Sequence, residues 1–258
     1  GVQFYNNDNR KVTLGHNRLA ILDLDARSNQ PFSYTSGIHI VFNGEIYNYI
    51  DIKESLKAKG HTFNTTSDTE VICAAYLEYG ENCVEHFNGM FAFVIYDEGK
   101  QQFFGARDRL GQKPFYYYHS GTDFEFASQI SAIKLGNSSL SISNRAISNY
   151  MVWGYIPDPD SIFKEVKKLP PGHSFVYQLQ SGIFKEKKYW DIDFKGQNLF
   201  QGTYEEAQEE LELLLTDAVQ KRMIADVPLG IFLSGGIDSS LVAALASKNN
   251  TNKVKTFS

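Results

Sequence analysis

The spacing of apolar residues along this chain alternates between period two and period 3.6, the marks of strand and helix. "HIVFNGEIYNY" (39–49) opens as a strand and breaks at Asn43-Gly44. "DIKESLKAKG" (51–60) reads as a short helix with Asp51 as N-cap and Gly60 closing it. In "SDTEVICAAYLEYG" (67–80), Ser67 and Glu70 stand at capping-box spacing and Gly80 ends the helix. Its apolar face is Ile72, Ala75, Tyr76 and Tyr79. Four β-rich runs follow at 90–97, 101–108, 114–119 and 123–128, with "DEGK" (97–100) turning between the first two. "HSFVYQLQSGIFKEKKYW" (173–190) reads as one more hairpin, turning at Ser181-Gly182.

The pattern shifts at "DFKGQNLFQGTY" (193–204), which has the composition of a linker. After it, residues 203–223 form the strongest helix signal. Thr203 and Glu206 make a capping box, and Tyr204, Ala207, Leu211, Leu214, Leu215 and Ala218 make an apolar stripe. "PLGIFL" (228–233) reads as a buried strand and "DSSLVAALAS" (238–247) as the helix after it. Strand, glycine loop and helix open a parallel α/β domain. The chain therefore divides into residues 1–192, a linker at 193–203, and residues 204–258.

Composition narrows the function. Hydrophobic residues at 42% and charged residues at 21% are those of a globular protein. A net charge of -5 argues against a nucleic-acid backbone as partner, and no apolar run is long enough to span a membrane. The first ten residues are polar and lack the apolar core of a signal peptide. With only Cys73 and Cys83 there is no disulfide framework, which places the expectation in the cytoplasm.

Ser234-Gly235-Gly236 joins the strand at 228–233 to the following helix. Backbone N–H groups at a helix N-terminus bind anions, and glycines let the main chain approach a phosphate closely. Ser234, Ser239 and Ser240 add hydroxyls, and Asp238 beside a phosphate implies an intervening Mg²⁺. The Gly-Lys-Ser/Thr ending of a Walker A loop is absent. By spacing alone, a tight βα turn without a ligand fits equally well.

"LSGGIDSS" (233–240) resembles the pyrophosphate loop of the ATP pyrophosphatases, and "DVPLGIFLSGGIDSSLVAALAS" is most similar to their asparagine synthetase branch. Upstream, "GHNRLAILDL", "FNGEIYNY", "SDTEVI", "NGMFAFVIYD" and "GARDRLGQKPFYYY" resemble the class II glutamine amidotransferase domain of the same enzymes. "YIPDPDSIFKEVKKLPPGH" (155–173) is similar to the segment leading out of that domain. The resemblance implies a four-layer αββα amidotransferase domain of the N-terminal nucleophile hydrolase type, followed by the beginning of a parallel α/β nucleotide-binding domain. It also implies glutamine, aspartate and ATP as substrates, with Mg²⁺, and AMP and pyrophosphate as products.

Carried over residue by residue, the resemblance implies that Arg18 grips the glutamine α-carboxylate with a bidentate fork. Asn43 and Gly44 match the oxyanion hole, Glu45 helps bind the amino-acid head group, and Asp68 holds the α-ammonium. At the other end Leu233, Ser234, Gly235, Gly236, Asp238, Ser239 and Ser240 match the nucleotide loop, with Asp238 as the Mg²⁺ contact. Taken without the resemblance, these residues have plain structural uses. Arg18 fits a surface ion pair, Asn43-Gly44 a hairpin turn, Glu45 a solvated acid, and Asp68 a first-turn acid complementing a helix dipole. His16 is expected to pack, and Arg107 with Asp108 to form a structural ion pair.

The family's nucleophile is an N-terminal cysteine acting with its own α-amine, whereas position 1 here is Gly1. Cys73 and Cys83 are expected in the core, so the chain reads as an internal piece of a longer enzyme without its own glutaminase activity. The acceptor stays open between aspartate and another carboxylate such as a cell-surface sugar acid or a peptide. A non-enzymatic module or a relative with a vestigial glutaminase half is the other class of reading. A homodimer is also left open.

Overall fold

A computed structural model of the chain describes residues 1–7, 10–35, 37–121, 123–194, 199–248 and 254–258. Residues 195–198 of the expected linker lie outside the described residues. Internal contacts divide the chain into Gly1–Arg18 with Asp25–Asp191, and Leu19–Leu24 with Ile192–Ser258.

The first unit runs β1 (Val2–Asn7), β2 (Arg10–Gly15), β3 (Phe32–Thr35), β4 (Ile38–Ile46), α1 (Tyr49–Ala58) and α2 (Asp68–Tyr79). It continues with β5 (Gly89–Asp97), β6 (Gln102–Arg107), β7 (Tyr116–Ser120), β8 (Asp123–Ala127), α3 (Ile130–Gly136) and α4 (Asn144–Trp153). It closes with β9 (Val166–Lys168), β10 (His173–Gln178) and β11 (Phe184–Lys188). Six strands form a sheet in the order β11-β10-β6-β5-β4-β3; β8-β7-β9 form a second sheet, and β1-β2 pair alone.

Central β5 is buried on both faces, as alternation in a sheet between two layers requires. Ala92, Val94 and Tyr96 enter an aromatic core with Phe103, Phe115, Phe175 and Tyr177, against which Tyr117, Phe124 and Phe126 of the smaller sheet pack. On the opposite face Phe93 meets Phe104, and Phe104 stacks on Tyr76 of α2. Each fully buried aromatic of this kind contributes about 2–3 kcal/mol. Beyond the smaller sheet, Asn137 at the end of α3 donates to Glu125 of β8 at 2.9 Å, and Ile133 is buried. The order of layers is helix, sheet, sheet, helix.

Several local expectations are corrected. Helix α1 starts at Tyr49 after Asn48, so Asp51 falls in its first turn instead of capping it. Ser67 does cap α2, accepting from Thr69 N at 3.1 Å. Glu70 does not complete the box, because it is buried and accepts from the backbone of Asn64 and Thr65 and the Thr65 hydroxyl. Arg107 and Asp108 do not pair. Consecutive extended residues point to opposite sides. Arg107 meets Asp158 at 2.9 Å, while Asp108 accepts N–H groups from Phe91, Leu110, Gln112 and Lys113.

The second unit holds α5 (Tyr204–Arg222), β12 (Gly230–Phe232), α6 (Ile237–Lys248) and β13 (Lys255–Phe257). Both halves of the Thr203–Glu206 capping box are present, at 3.2 and 2.7 Å. β12 and β13 pair in parallel. A small core gathers Val219, Leu245 and Ala246 with Leu215 and Ile231. β12 is not the buried strand expected: Ile231 turns inward, but Phe232 is 85% exposed, because the core lies on one side of the two-stranded ladder only. No helix among the described residues is long and apolar enough to cross a membrane.

Candidate active site and nucleotide loop

β4 does not break at Asn43-Gly44. The ladder continues, with Asn43 opposite Ala92, Gly44 opposite Phe91 and Glu45 opposite Met90. The hairpin-turn reading of these two residues is thereby excluded. Gly44 has φ +152°, and a Cβ there would sit 2.1 Å from the Met90 carbonyl oxygen and 2.7 Å from Phe91 Cα. Across the ladder, a Cβ on Gly89 would lie 2.2 Å from the Glu45 carbonyl oxygen. The two backbones approach so closely here that only glycine fits either position.

The next residues carry the acids. Asp68, the first residue of α2, is buried, and its Oδ2 accepts the Ile46 N–H at 3.0 Å. Ser67 Oγ donates to Oδ1 at 3.4 Å. These bonds tie the helix start to the end of β4. Burial pushes the Asp68 carboxyl up to about 6, with the neighbouring Glu45 charge adding to the effect and the N–H donors opposing it. Burial also raises Glu45, countered by the positive charge of Lys113. Two carboxylates within electrostatic reach of each other, one nearly dry, form a setting that favours a cation.

Arg18 Nη1 donates to the Asp25 carbonyl at 3.3 Å. Burial lowers the pKa of His16, opposed by a hydrogen bond to the Phe42 backbone and aided by the charges of the N-terminus and of Arg18. The structure thus brings Asp68 to the end of the strand that carries Asn43, Gly44 and Glu45, while Arg18 bonds to the Asp25 carbonyl. Sequence reasoning missed Lys113, which stands in an unremarkable "GQKPF" stretch, because its charge acts on Glu45, far along the chain. Cys73 and Cys83 are fully buried, and burial raises both thiols above the ordinary range, which keeps them protonated.

In the second unit Leu233 N donates to the Phe257 carbonyl at 2.7 Å, carrying the ladder to the edge of the loop. Gly235 has φ +80° with open space where a Cβ would lie. Ser234 and Ser239 hydroxyls lie 3.1 Å apart, Ser239 donates to the Gly236 carbonyl at 3.1 Å, and Ser240 N donates to the same carbonyl. Asp238 is exposed in the first turn of α6. The loop is accessible, hydroxyl-rich and open to close approach, which fits a phosphate group. Among the described residues no cluster of three His, Cys, Asp or Glu could hold a metal without further ligands. Asp238 therefore fits Mg²⁺ only where phosphate oxygens complete the coordination.

Residues 3–190 match the family described as glutamine amidotransferase domain, and residues 210–258 match that described as asparagine synthase. The chain belongs to the glutamine amidotransferase domain family. It is 40% identical over its whole length to a putative glutamine-hydrolysing asparagine synthetase 2 of Methanocaldococcus jannaschii, covering 53% of that protein. It is 39% identical to asparagine synthetase 1 of Bacillus subtilis, over 96% of the chain and 38% of the relative. Amidase chry2 of Gibberella zeae is 36% identical over 93% of the chain and 35% of its own length. The chain thus spans about half or less of the curated relatives it matches. A solved glutamine phosphoribosylpyrophosphate amidotransferase from B. subtilis covers 88% of the chain at 18% identity and a TM-score of 0.44, with 48% of that structure covered.

Proposed function

We propose that this chain carries the glutamine site, and the opening of the ATP site, of a glutamine-hydrolysing asparagine synthetase. The observation that supports it most is Asp68 tied through the Ile46 N–H to the end of the strand that carries Asn43, Gly44 and Glu45, upstream of a segment that matches asparagine synthase. In this reading Arg18 holds the glutamine α-carboxylate, while Asp68 and Glu45 hold its α-ammonium. The Asn43 amide and Gly44 N–H stabilise the oxyanion that forms when a thiolate attacks the side-chain amide. Ammonia leaves, and water releases glutamate from the thioester. In the synthetase half, the aspartate β-carboxylate attacks the α-phosphorus of ATP, releasing pyrophosphate, and ammonia then displaces AMP to give asparagine. Ser234, Gly235, Gly236, Ser239 and Ser240 would cradle the pyrophosphate. Mg²⁺ held between it and Asp238 would neutralise charge on the leaving group. Two free, buried cysteines support a reducing compartment such as the cytoplasm.

A full-length enzyme carrying this chain tests the assignment with one pair of variants. Asp238→Asn should cost about 3 kcal/mol, a hundredfold or more, in synthesis from either glutamine or ammonia while glutamine hydrolysis survives. Asp68→Ala should raise KM for glutamine and spare ammonia-dependent synthesis. Equal loss of all activities in both variants would remove the two-site reading. The similarity to amidase chry2 favours a second reading, in which the acceptor is a carboxylate other than aspartate. Asparagine formation from aspartate decides between them.

A further inference from the structure

Strands β3 and β4 pair only as far as Phe32 opposite Ile40. Pro31, just before β3, has no N–H to give a ladder, and β4 runs on to Ile46 without that neighbour. Residues two apart on a strand turn their backbone N–H to the same side, so this edge of β4 is left uncovered at Phe42, Gly44 and Ile46. Side chains take the outer positions. Gln30, which the β3 register would set opposite Phe42, accepts the Phe42 N–H on Oε1 at 2.6 Å. Asp68 Oδ2 accepts the Ile46 N–H at 3.0 Å. Gln30 and Phe42 are both buried, which makes this bond costly to lose. Across the ladder, Phe91 opposite Gly44 gives both its backbone groups to Asp108. Its N–H donates to Asp108 Oδ2 at 3.2 Å, and its carbonyl accepts the Asp108 N–H at 2.8 Å. Phe91 thus turns away from Gly44, which leaves the Gly44 N–H to the uncovered edge between Gln30 and Asp68. All of these residues lie in the first unit.

We propose that Gln30 is a positioning residue for glutamine hydrolysis. By fixing Phe42 it sets the direction in which the next two residues, Asn43 and Gly44, present their donors. Gly44, with φ +152° and no side chain, takes its orientation from the residues on either side. An oxyanion donor counts only when aligned on the place where charge develops, so a loosened Phe42 slows the reaction without weakening the binding of glutamine. Gln30 itself touches no reacting atom. The proposal rests on reading Asn43 and Gly44 as the oxyanion hole.

The test uses a full-length enzyme carrying this chain, with Gln30→Leu, Gln30→Glu and Asn43→Ala assayed in parallel. Gln30→Leu keeps the bulk and removes the acceptor. It should lower kcat for glutamine hydrolysis about tenfold, with KM for glutamine within about twofold of wild type. Ammonia-dependent synthesis should be unchanged. Gln30→Glu, which keeps an oxygen for the Phe42 N–H, should bring kcat back to within about threefold of wild type. A Gln30→Leu enzyme with unchanged kcat, a KM that rises as kcat falls, or a parallel loss of synthesis overturns the proposal. So does a Gln30→Glu enzyme as slow as Gln30→Leu. Should the leucine variant fail to fold, Gln30→Met, unbranched and also without the amide oxygen, takes its place with the same readouts. If Asn43→Ala leaves kcat for hydrolysis untouched, the oxyanion reading itself fails. If only Gln30→Leu is silent, the positioning role alone fails.

Discussion

Replacing Asp68 by Asn separates what burial costs from what the carboxylate does. The carboxyl is 5% exposed, and desolvation raises it from 3.8 to about 6. A raised acid in the folded state keeps a proton that the unfolded chain releases, so stability is greatest below pH 3.8 and falls as pH rises through 6. The gap between 3.8 and about 6, at 1.36 kcal/mol per pH unit, corresponds to about 3 kcal/mol of destabilisation at pH 7. Asparagine keeps an oxygen for the Ile46 N–H and removes the charge. The Asp68→Asn chain should therefore be about 2–3 kcal/mol more stable at pH 7, with the difference vanishing towards pH 4. Urea unfolding of both chains from pH 4 to 8 reads it directly. An offset that does not change with pH, or no stabilisation at pH 7, would refute desolvation as the dominant force on this residue.

Gly44→Ala should destabilise the chain by about 3 kcal/mol or more, because the new Cβ lies 2.1 Å from the Met90 carbonyl oxygen in a φ that side chains avoid. A urea midpoint close to wild type would mean that β4 and β5 can part without cost. Cys73 and Cys83 should resist a thiol reagent in the native chain and both react once urea unfolds it, since burial keeps each protonated and enclosed. Rapid labelling under native conditions would contradict that burial.

The parts of the fold legible in the sequence are those decided by neighbours in the chain. The Thr203–Glu206 box formed as its spacing promised because α5 begins at the surface, where nothing competes for either side chain. The same spacing at Ser67 and Glu70 failed because Glu70 is buried and the Asn64–Thr65 loop takes its oxygens. Asn43-Gly44 carries a turn's residues, yet β5 supplies a partner strand whose own glycine, Gly89, lets the backbones close up. Arg107 and Asp108 stand side by side in the sequence, but each finds its partners elsewhere. In the proposed site, Arg18, Glu45 and Asp68 rest on resemblance, and Lys113 was not legible at all, for its effect falls on a residue 68 positions away.

Asp68 stands at a helix start, where the dipole and three donors should hold a carboxylate well ionised. Burial and the nearby Glu45 nonetheless prevail and lift it to about 6. The first turn of α2 therefore carries a negative charge in a place that disfavours it, next to a second acid. On the proposed reading, the ammonium group of glutamine is the counter-charge that relieves this disfavour. Binding should then draw Asp68 back towards the ordinary carboxylate range, so that glutamine binding releases protons near pH 6. Because protonated Asp68 lacks the charge to pair, glutamine should also bind more weakly as pH falls below 6, with the loss approaching tenfold per pH unit. The same desolvation that lowers the stability of the empty site thus sharpens its preference for a cationic head group.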